Sequence, residues 1–122
     1  MKVLVLLFLF QIKHWYADFM IQTYAQTVRK GIYGDPVGIS HTLDHVVGTV
    51  SILLFASFFI KISVPMIIII GALDCIIHYH IDWFKVYYGT KDTNIALFWQ
   101  QFGHDQLGHQ LTYLLFGLML IL

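Results

Sequence analysis

Apolar residues occur in four long runs along the chain, separated by charged or turn-forming residues. The runs cover residues 3–27, 40–60, 64–84 and 95–122. About 20 mostly apolar helical residues cross the ~30 Å hydrocarbon core of a bilayer. The runs are continuous, whereas the strands of a membrane barrel alternate between apolar and polar residues. The pattern therefore predicts a single all-α domain over residues 1–122, an integral membrane bundle of four transmembrane helices.

Residues that favour helix ends lie between these runs. Lys30 closes the first run, and Ser40 is the predicted N-cap of the second helix. Pro65 falls in the first turn of the third helix, where the missing N–H of proline is tolerated. The apolar run after Lys2 lacks a small-residue cleavage site, so we interpret it as part of the first helix and not as a signal peptide.

Composition supports a membrane location. Hydrophobic residues make up 58% of the chain and charged residues 11%, whereas soluble domains carry about 25% charged residues. The bilayer is thus the expected partner. The formal net charge is zero, so nothing indicates a nucleic-acid partner. The single cysteine, Cys75, cannot form an intramolecular disulfide.

Basic residues predict the orientation of the bundle. Four spans place both termini on one side, and lysine and arginine favour the cytoplasmic side. We therefore predict a protein of the bacterial inner (cytoplasmic) membrane with both termini outside. The connections opposite the termini carry more basic residues than the terminal side: Arg29, Lys30, Lys85 and Lys91 against Lys2 and Lys61.

Ionisable residues inside the runs are spaced four apart, which places them on one face of a helix. Two ligands at this spacing can hold one metal ion. With alternating helix directions, all the pairs reach the leaflet predicted to be cytoplasmic, whereas the opposite ends are apolar. The bundle is therefore expected to resemble a cup, sealed on the outer side and open towards the cytoplasm. The pairs are His14 with Asp18, His41 with His45, His78 with Asp82, and Asp105 with His109.

These residues predict a divalent metal site. A charged side chain at the bilayer centre costs on the order of 2.5–3.5 kcal/mol, so the carboxylates need a cation: a protonated histidine, Lys85 or a metal. Histidine together with carboxylate suits zinc, manganese or iron. The predicted ligands are His14, Asp18, His45, His78, Asp82, Asp105 and His109, and Gln22, His41, Asp74, Lys85 and Gln106 are predicted to support them.

A structural interpretation competes with the metal site. His–Asp pairs can hold helices in register without any ion. His41 and Lys85 are also compatible with the headgroup region, where polarity costs little. His80 and His104 lie off the main polar faces and are not predicted as ligands.

Three segments resemble a known family. The chain has HWYADFMIQ at residues 14–22, HYHIDWFK at residues 78–85 and DQLGH at residues 105–109. These are similar to the motifs HxxADFxxQ, HxxIDxxK and DQxxH of a family of small bacterial and phage membrane proteins, a domain of unknown function. His78 is preferred over His80 as the motif histidine because it lies one turn before Asp82. The resemblance implies a polytopic membrane protein and carries no activity.

Three functions remain open from the sequence. The first is a metal-dependent hydrolase of a lipid or lipid-linked substrate, with Lys85 near a phosphate headgroup. The second is ion or proton transport, which the apolar outer half disfavours. The third is a non-catalytic phage or bacterial module that binds another membrane protein. The substrate, the metal and the oligomeric state, including a homo-oligomer, are not determined by the sequence.

Overall fold

The computed structural model describes residues 2–122, and no β-strand occurs among them. The prediction of an all-α fold is therefore confirmed. The elements are α1 (Lys2–Trp15), a π-helical segment (Tyr16–Ile21), α2 (Tyr24–Arg29), α3 (Pro36–Ser57), α4 (Val64–Tyr88) and α5 (Ala96–Met119).

Three helical stretches in residues 2–122 are long and apolar enough to cross a membrane: Lys2–Ile21, α3 and α4. This confirms three of the four predicted spans. Helix α5 has 24 residues, which is sufficient length, but its first half is too polar for composition alone to mark it as a span. The polar residues in that half are Gln100, Gln101, His104, Asp105 and Gln106, and His109 and Gln110 follow just after it.

The first predicted helix, residues 3–27, is interrupted. After the π-helical segment the backbone becomes extended at Gln22 and Thr23, with ψ of 124° and 156°. Thr23 then caps α2 through a capping box, in which its hydroxyl accepts a hydrogen bond from the Gln26 N–H and the Gln26 side chain accepts one from the Thr23 N–H. This local motif satisfies the free N–H groups of a new helix, so the chain turns and α2 packs on α3.

Helix α3 begins earlier than predicted. Asp35 is its N-cap, and the carboxylate accepts hydrogen bonds from the N–H groups of Val37 and Gly38. Ser40 lies inside the helix and donates to the Val37 carbonyl at 2.7 Å, so its prediction as the cap was wrong. Burial raises the pKa of Asp35, but the Arg29 guanidinium and the two N–H donors outweigh it and hold the pKa below its usual value. The ionised cap is favoured at the positive helix N-terminus.

The four long helices form a ring. Both α1 and α4 pack against α3 and α5, so α1 lies diagonally across from α4. Neighbouring helices run antiparallel: Lys2 Nζ donates to the Phe59 carbonyl at 2.8 Å at one end of the bundle, and His14 lies 3.2 Å from Gln106 towards the other end.

The two ends of this ring differ in chemistry. The end near the termini is filled by a buried apolar core, whereas the buried residues towards the other end are mainly polar. The predicted separation into an apolar and a polar end is therefore present. The apolar core consists of Leu6, Phe10, Leu53, Ala56, Ile67, Ile70, Tyr113 and Phe116.

Candidate metal centre

Histidines and aspartates from all four long helical stretches meet inside the polar end of the bundle. Their imidazole rings are close: the centroids of His45 and His78 are 3.7 Å apart and those of His78 and His109 are 4.2 Å apart. We call this set the His/Asp cluster. Within residues 2–122 it contains His14, His41, His45, His78 and His109 with Asp18, Asp74, Asp82 and Asp105.

Helical periodicity brings the predicted pairs together. In the three His–Asp pairs the imidazole Nε2 faces a carboxylate oxygen one turn away on the same helical stretch, and in the fourth pair the ring centres of His41 and His45 are 4.8 Å apart. All seven predicted ligands therefore lie in the cluster. The Nε2–O distances are 3.2 Å for His14–Asp18, 3.3 Å for His78–Asp82 and 3.6 Å for His109–Asp105.

Asp18, in the π-helical segment, is held by histidines. Its Oδ1 lies 3.1 Å from His41 Nε2 and 3.0 Å from His45 Nε2, and its Oδ2 faces His14. His41 is 0% exposed, so it is buried inside the bundle and makes no contact with the bundle's surroundings. The amide nitrogen of Gln22 lies 2.7 Å from His41 Nε2. His41, which was predicted only to support the site, is thus as deeply buried as the predicted ligands.

A polar layer lies beneath the cluster, next to the apolar core. Lys13 Nζ is 3.4 Å from Asp74 Oδ2 and donates to Tyr113 Oη at 3.0 Å. Thr49 donates to the same carboxylate oxygen at 2.6 Å. Tyr113 Oη is also 3.1 Å from His14 Nδ1. The layer neutralises Asp74 and orients the imidazole of His14 from behind.

The contact of Lys13 with His45 limits what His45 can do. Lys13 Nζ lies 3.4 Å from His45 Nδ1, and an ammonium group can only donate. In this arrangement Nδ1 is the acceptor and the imidazole proton is on Nε2, directed at Asp18. His45 then positions Asp18 through a hydrogen bond, and Nε2 has no free electron pair for a metal.

Lys30 supplies the cation for Asp82. Its Nζ lies 3.1 Å from Asp82 Oδ1, and the residue is 7% exposed. Burial lowers the pKa of Lys30, but the carboxylates of Asp82, Asp18 and Asp105 together outweigh burial and raise it. Gly38 permits this approach, because a Cβ there would lie 2.8 Å from Lys30 Cα. Lys85, one of the three cations that the sequence left open for the carboxylates, forms no ion pair with them in residues 2–122.

Helix α2 and Lys30 cover the end of the bundle that was predicted to be open like a cup. Helix α2 packs on α3, and Lys30 extends from its end onto the cluster. His41, His45, His78 and His109 are 0–1% exposed. The expected sealed apolar end is present, but the polar end is covered and not open.

Several atoms of the cluster lack hydrogen bonds. Buried polar groups in folded proteins are nearly always paired. Yet His78 is 1% exposed, and both of its ring nitrogens are unpartnered in the described chain. The other cluster atoms facing this region that lack a partner are Asp82 Oδ2, Asp105 Oδ1 and His109 Nε2. Asp82 Oδ1 makes no hydrogen bond either, and its one cationic contact is the ion pair with Lys30.

The distances between these atoms suit a shared ion. Asp82 Oδ2 is 3.3 Å from His78 Nε2, and Asp82 Oδ1 is 3.5 Å from His109 Nε2, but the atoms are not oriented for hydrogen bonds. Ligands about 2.0–2.2 Å from a tetrahedral ion lie roughly 3.3–3.6 Å from one another. The unpartnered atoms are therefore spaced as ligands of one metal ion are.

Three groups in residues 2–122 could hold a metal ion, each with ligand atoms within 4.8 Å of one another. His78 and His109 each belong to two groups, so the groups overlap. Together they contain every predicted ligand and His41. The groups are Asp18–His41–His45–His78, His14–His78–His109 and Asp82–Asp105–His109.

The remaining predicted residues divide between the cluster and its surroundings. Gln106 contacts His14 and donates to Asp105 Oδ2 at 3.1 Å. Lys85 lies outside the cluster, with Nζ 5.4 Å from the centre of the Phe102 ring. His80 and His104 are exposed, as their positions off the polar faces predicted. The roles of Lys13 and Lys30 were not predicted from the sequence. Lys13 was detectable as a basic residue inside a predicted span, whereas nothing in the spacing of Lys30 indicated its contact.

The chain is therefore an all-helical protein that has three stretches able to cross a membrane and a buried His/Asp cluster. The chain belongs to the family described as "Protein of unknown function (DUF3307)", whose model matches residues 6–121. The predicted resemblance to a family of unknown function is thereby confirmed, and the match includes every cluster residue. No curated protein and no solved structure is significantly similar to the chain.

The Lys13–Asp74 pair generates a stability prediction. Lys13→Met leaves a buried carboxylate without its cation, and breaking a buried pair in this way costs about 3–5 kcal/mol. The double variant Lys13→Met, Asp74→Asn removes both charges and should recover most of this loss. Thermal unfolding in detergent measures both effects.

Lys85→Met is the matched control for this pair. No carboxylate in residues 2–122 forms an ion pair with Lys85, so its unfolding temperature should change little. Equal destabilisation by Lys13→Met and Lys85→Met would show that the Lys13–Asp74 pair has no special role.

Proposed function

We propose that the chain is a membrane-embedded metalloenzyme that holds one divalent cation in the His/Asp cluster and hydrolyses a lipid or lipid-linked substrate. The observation that carries the proposal is the set of buried, unpartnered atoms on His78, Asp82, Asp105 and His109. An ion at their centre satisfies all four residues. A purely structural network leaves them unpaired, at a cost of about 1–3 kcal/mol for each group.

Charge balance supports a single divalent ion. The polar end contains four aspartates, Asp18, Asp74, Asp82 and Asp105, and two buried lysines, Lys13 and Lys30. With all six groups ionised and the imidazoles neutral, two negative charges remain. Uncompensated charge is costly in a medium of low polarity. One divalent cation makes the polar end neutral, as protonation of two imidazoles would in its absence.

The proposed ligands are Asp82, Asp105 and His109, with His78 beside Asp82. They come from the adjacent helices α4 and α5. Imidazole and carboxylate together favour zinc, manganese or iron over calcium or magnesium. His14, Asp18 and His41 remain free for other roles.

The chemistry follows from the ligand set. A divalent ion here supplies a Lewis acid and promotes formation of hydroxide from water near neutral pH. His14 is the proposed general base, and its ring lies 4.7 Å from that of His109. With Nδ1 donating to Tyr113 Oη at 3.1 Å, Nε2 is the basic nitrogen, and the Asp18 carboxylate 3.2 Å from Nε2 stabilises the imidazolium that forms. His14 takes a proton from water while the water oxygen bonds to the ester centre. The proton then returns to the leaving oxygen as the ester bond breaks.

The apolar end of the bundle argues against transport. Phe10, Leu53, Ile70 and Phe116 are each 0% exposed and fill the space between the helices there. No buried lysine, histidine or aspartate continues beyond the Lys13–Asp74 layer in the described chain. A path for ions would require this core to open, so hydrolysis within one leaflet fits the geometry better.

We further propose that α5 is the fourth span. Asp105 and His109 are directed into the bundle, while Leu107, Leu111, Leu114 and Leu118 are 50–56% exposed on its surface. Lipid on that surface accounts for these leucines. The proposed membrane is the bacterial inner membrane, with both termini outside, because Arg29 and Lys91 lie on the opposite side.

Metal content tests the centre directly. Protein purified in detergent should contain about one divalent transition-metal ion per chain, measured by mass spectrometry. His78→Ala removes the imidazole shared by two metal groups and should lower metal content by at least about tenfold, as expected for loss of a ligand or its direct support.

His104→Ala is the control for the metal measurement, because His104 is an exposed histidine on α5. It should retain the wild-type metal content. Wild-type protein without metal after loading with zinc, manganese or iron would contradict the proposal. So would equal metal content in the His78→Ala and His104→Ala variants.

Hydrolysis is tested in vesicles of bacterial lipid extract. Metal-loaded protein should release products that mass spectrometry detects, and His14→Gln should lower the rate by about 10²–10⁴-fold, the range expected for general acid–base catalysis. The variant should keep its metal, since His14 is not a proposed ligand. Release of products by metal-free wild-type protein at the same rate would exclude a metal-dependent reaction.

Topology is tested by thiol labelling in a Cys75→Ser background. If α5 crosses the membrane, cysteines replacing Lys91 and Leu122 react with a membrane-impermeant reagent from opposite sides. Lys61→Cys should share the side of Leu122→Cys. Labelling of Lys91→Cys and Leu122→Cys from the same side would show that α5 does not cross.

A further inference from the structure

A groove of about 620 Å³ lies between α4 and α5 on the outer surface of the bundle. Its walls deeper in the bundle are apolar and include Ile76, Ile77 and Ile81. Towards the polar end it is lined by Lys85, Gln101 and His104. The groove therefore has an apolar part and a polar mouth arranged along the helix axes, as the chain and headgroup of a lipid are.

Lys85 is the charged group at this mouth. No carboxylate in the part of the chain that the structure describes forms an ion pair with it. Its Nζ lies 5.4 Å and 5.9 Å from the ring centres of Phe102 and Phe98 on α5. These cation–π contacts hold the ammonium across the mouth and leave its donors available for an anion.

Asp105 connects the groove to the metal centre. The residue lines the groove, and its Oδ1 is one of the unpartnered atoms, 3.6 Å from His109 Nε2. A molecule in the groove is thus separated from the cluster by one side chain. Gly108 keeps the passage open, because a Cβ at this position would lie 3.2 Å from Ile81 Cδ1 on the facing helix.

We propose that this groove binds an anionic phospholipid of the surrounding bilayer, with its phosphate at Lys85 and an acyl chain along the isoleucines of α4. The proposal rests on the proposed function and names its substrate class. Lateral entry brings the headgroup ester linkages next to Asp105 although α2 and Lys30 cover the polar end of the bundle.

The lining of the groove favours a lipid over a soluble phosphate compound. Apart from the residues at its mouth, the groove is walled mainly by isoleucine, phenylalanine and glycine, with His80 on α4 and the Asp105 carboxylate on α5 as its polar groups. A soluble anion would gain few hydrogen bonds there and would be repelled by the Asp105 carboxylate. Burying an acyl chain there is favourable by about 0.8 kcal/mol for each CH₂ removed from water, but in a bilayer the chain is already in hydrocarbon. Selectivity among lipids therefore depends on Lys85 and the headgroup.

Native mass spectrometry tests this assignment. Detergent-purified protein is mixed with equal amounts of phosphatidylglycerol and phosphatidylcholine, and the ratio of bound lipids is measured. Wild-type protein should prefer phosphatidylglycerol. Lys85→Gln should reduce this preference roughly fivefold, as expected for one basic residue near an anionic headgroup, and Lys85→Arg should restore it. Lys91→Gln, a change of an exposed loop lysine, should have no effect.

A second pair of variants tests the apolar part. Gly108→Leu fills the groove and should reduce binding of both lipids, whereas Gly103→Leu is the matched control, since a Cβ there has no neighbour within 4 Å. Unchanged lipid ratios in Lys85→Gln, or unchanged binding in Gly108→Leu, would overturn the assignment. Preferential binding of free inorganic phosphate would also overturn it.

Metal content measured on the same samples separates this inference from the proposed function. Lys85→Gln and Gly108→Leu should keep their metal while lipid binding changes. Lipid selection by a wild-type protein that binds no metal would support the groove and contradict the metal centre. Loss of metal in Lys85→Gln would show that Lys85 maintains the centre itself, and would overturn its assignment to a lipid headgroup.

Discussion

Charge placed inside a membrane bundle must be balanced by groups that the protein itself brings there. This constraint explains the arrangement of the polar end. Asp74 has Lys13 and Thr49 as partners, and Asp82 has Lys30. The partners come from different helical segments, so each balanced charge also joins two parts of the chain. Asp18, Asp105 and the imidazoles of the cluster lie close to one another, and neither of these two ion pairs includes them.

The interruption of the first helical stretch is central to this balance. Without the turn at Gln22 and Thr23, a straight helix would carry Lys30 about 1.5 Å further from the cluster with every residue. The capping box at Thr23 instead starts α2 in a new direction, and Lys30 returns to Asp82. A short polar motif thereby determines which cation the buried carboxylate receives.

Much of the fold and of the candidate site could be predicted from the sequence. The long apolar runs predict the helices, and the four-residue spacing predicts which side chains share a face, so the seven predicted ligands do meet. Lys85 was one of the three candidate cations, since it follows Asp82 closely on α4. That spacing could not show that α5 presents Phe98 and Phe102 to Lys85, which holds it away from the cluster.

Other features could not be predicted because they depend on contacts between distant segments. Periodicity gave no reason to expect a break before Lys30, since residues 3–27 read as one apolar run. Helix α5 was predicted as a span, but the polar residues that it contributes to the cluster lower its mean hydropathy. Composition alone therefore does not place it among the helices that are apolar enough to cross a membrane. A helix that contributes heavily to a buried polar site is the hardest to recognise as a membrane helix.

The cover formed by α2 and Lys30 has a kinetic consequence. Water-soluble ions and chelators approaching the polar end meet a closed surface, and opening it separates Lys30 from Asp82 in surroundings of low polarity. Exchange of any bound ion is then governed by the frequency of this opening and not by affinity alone. The proposed centre would therefore exchange its ion slowly with the surrounding solution, and its occupancy would depend on the ions available when the chain folded.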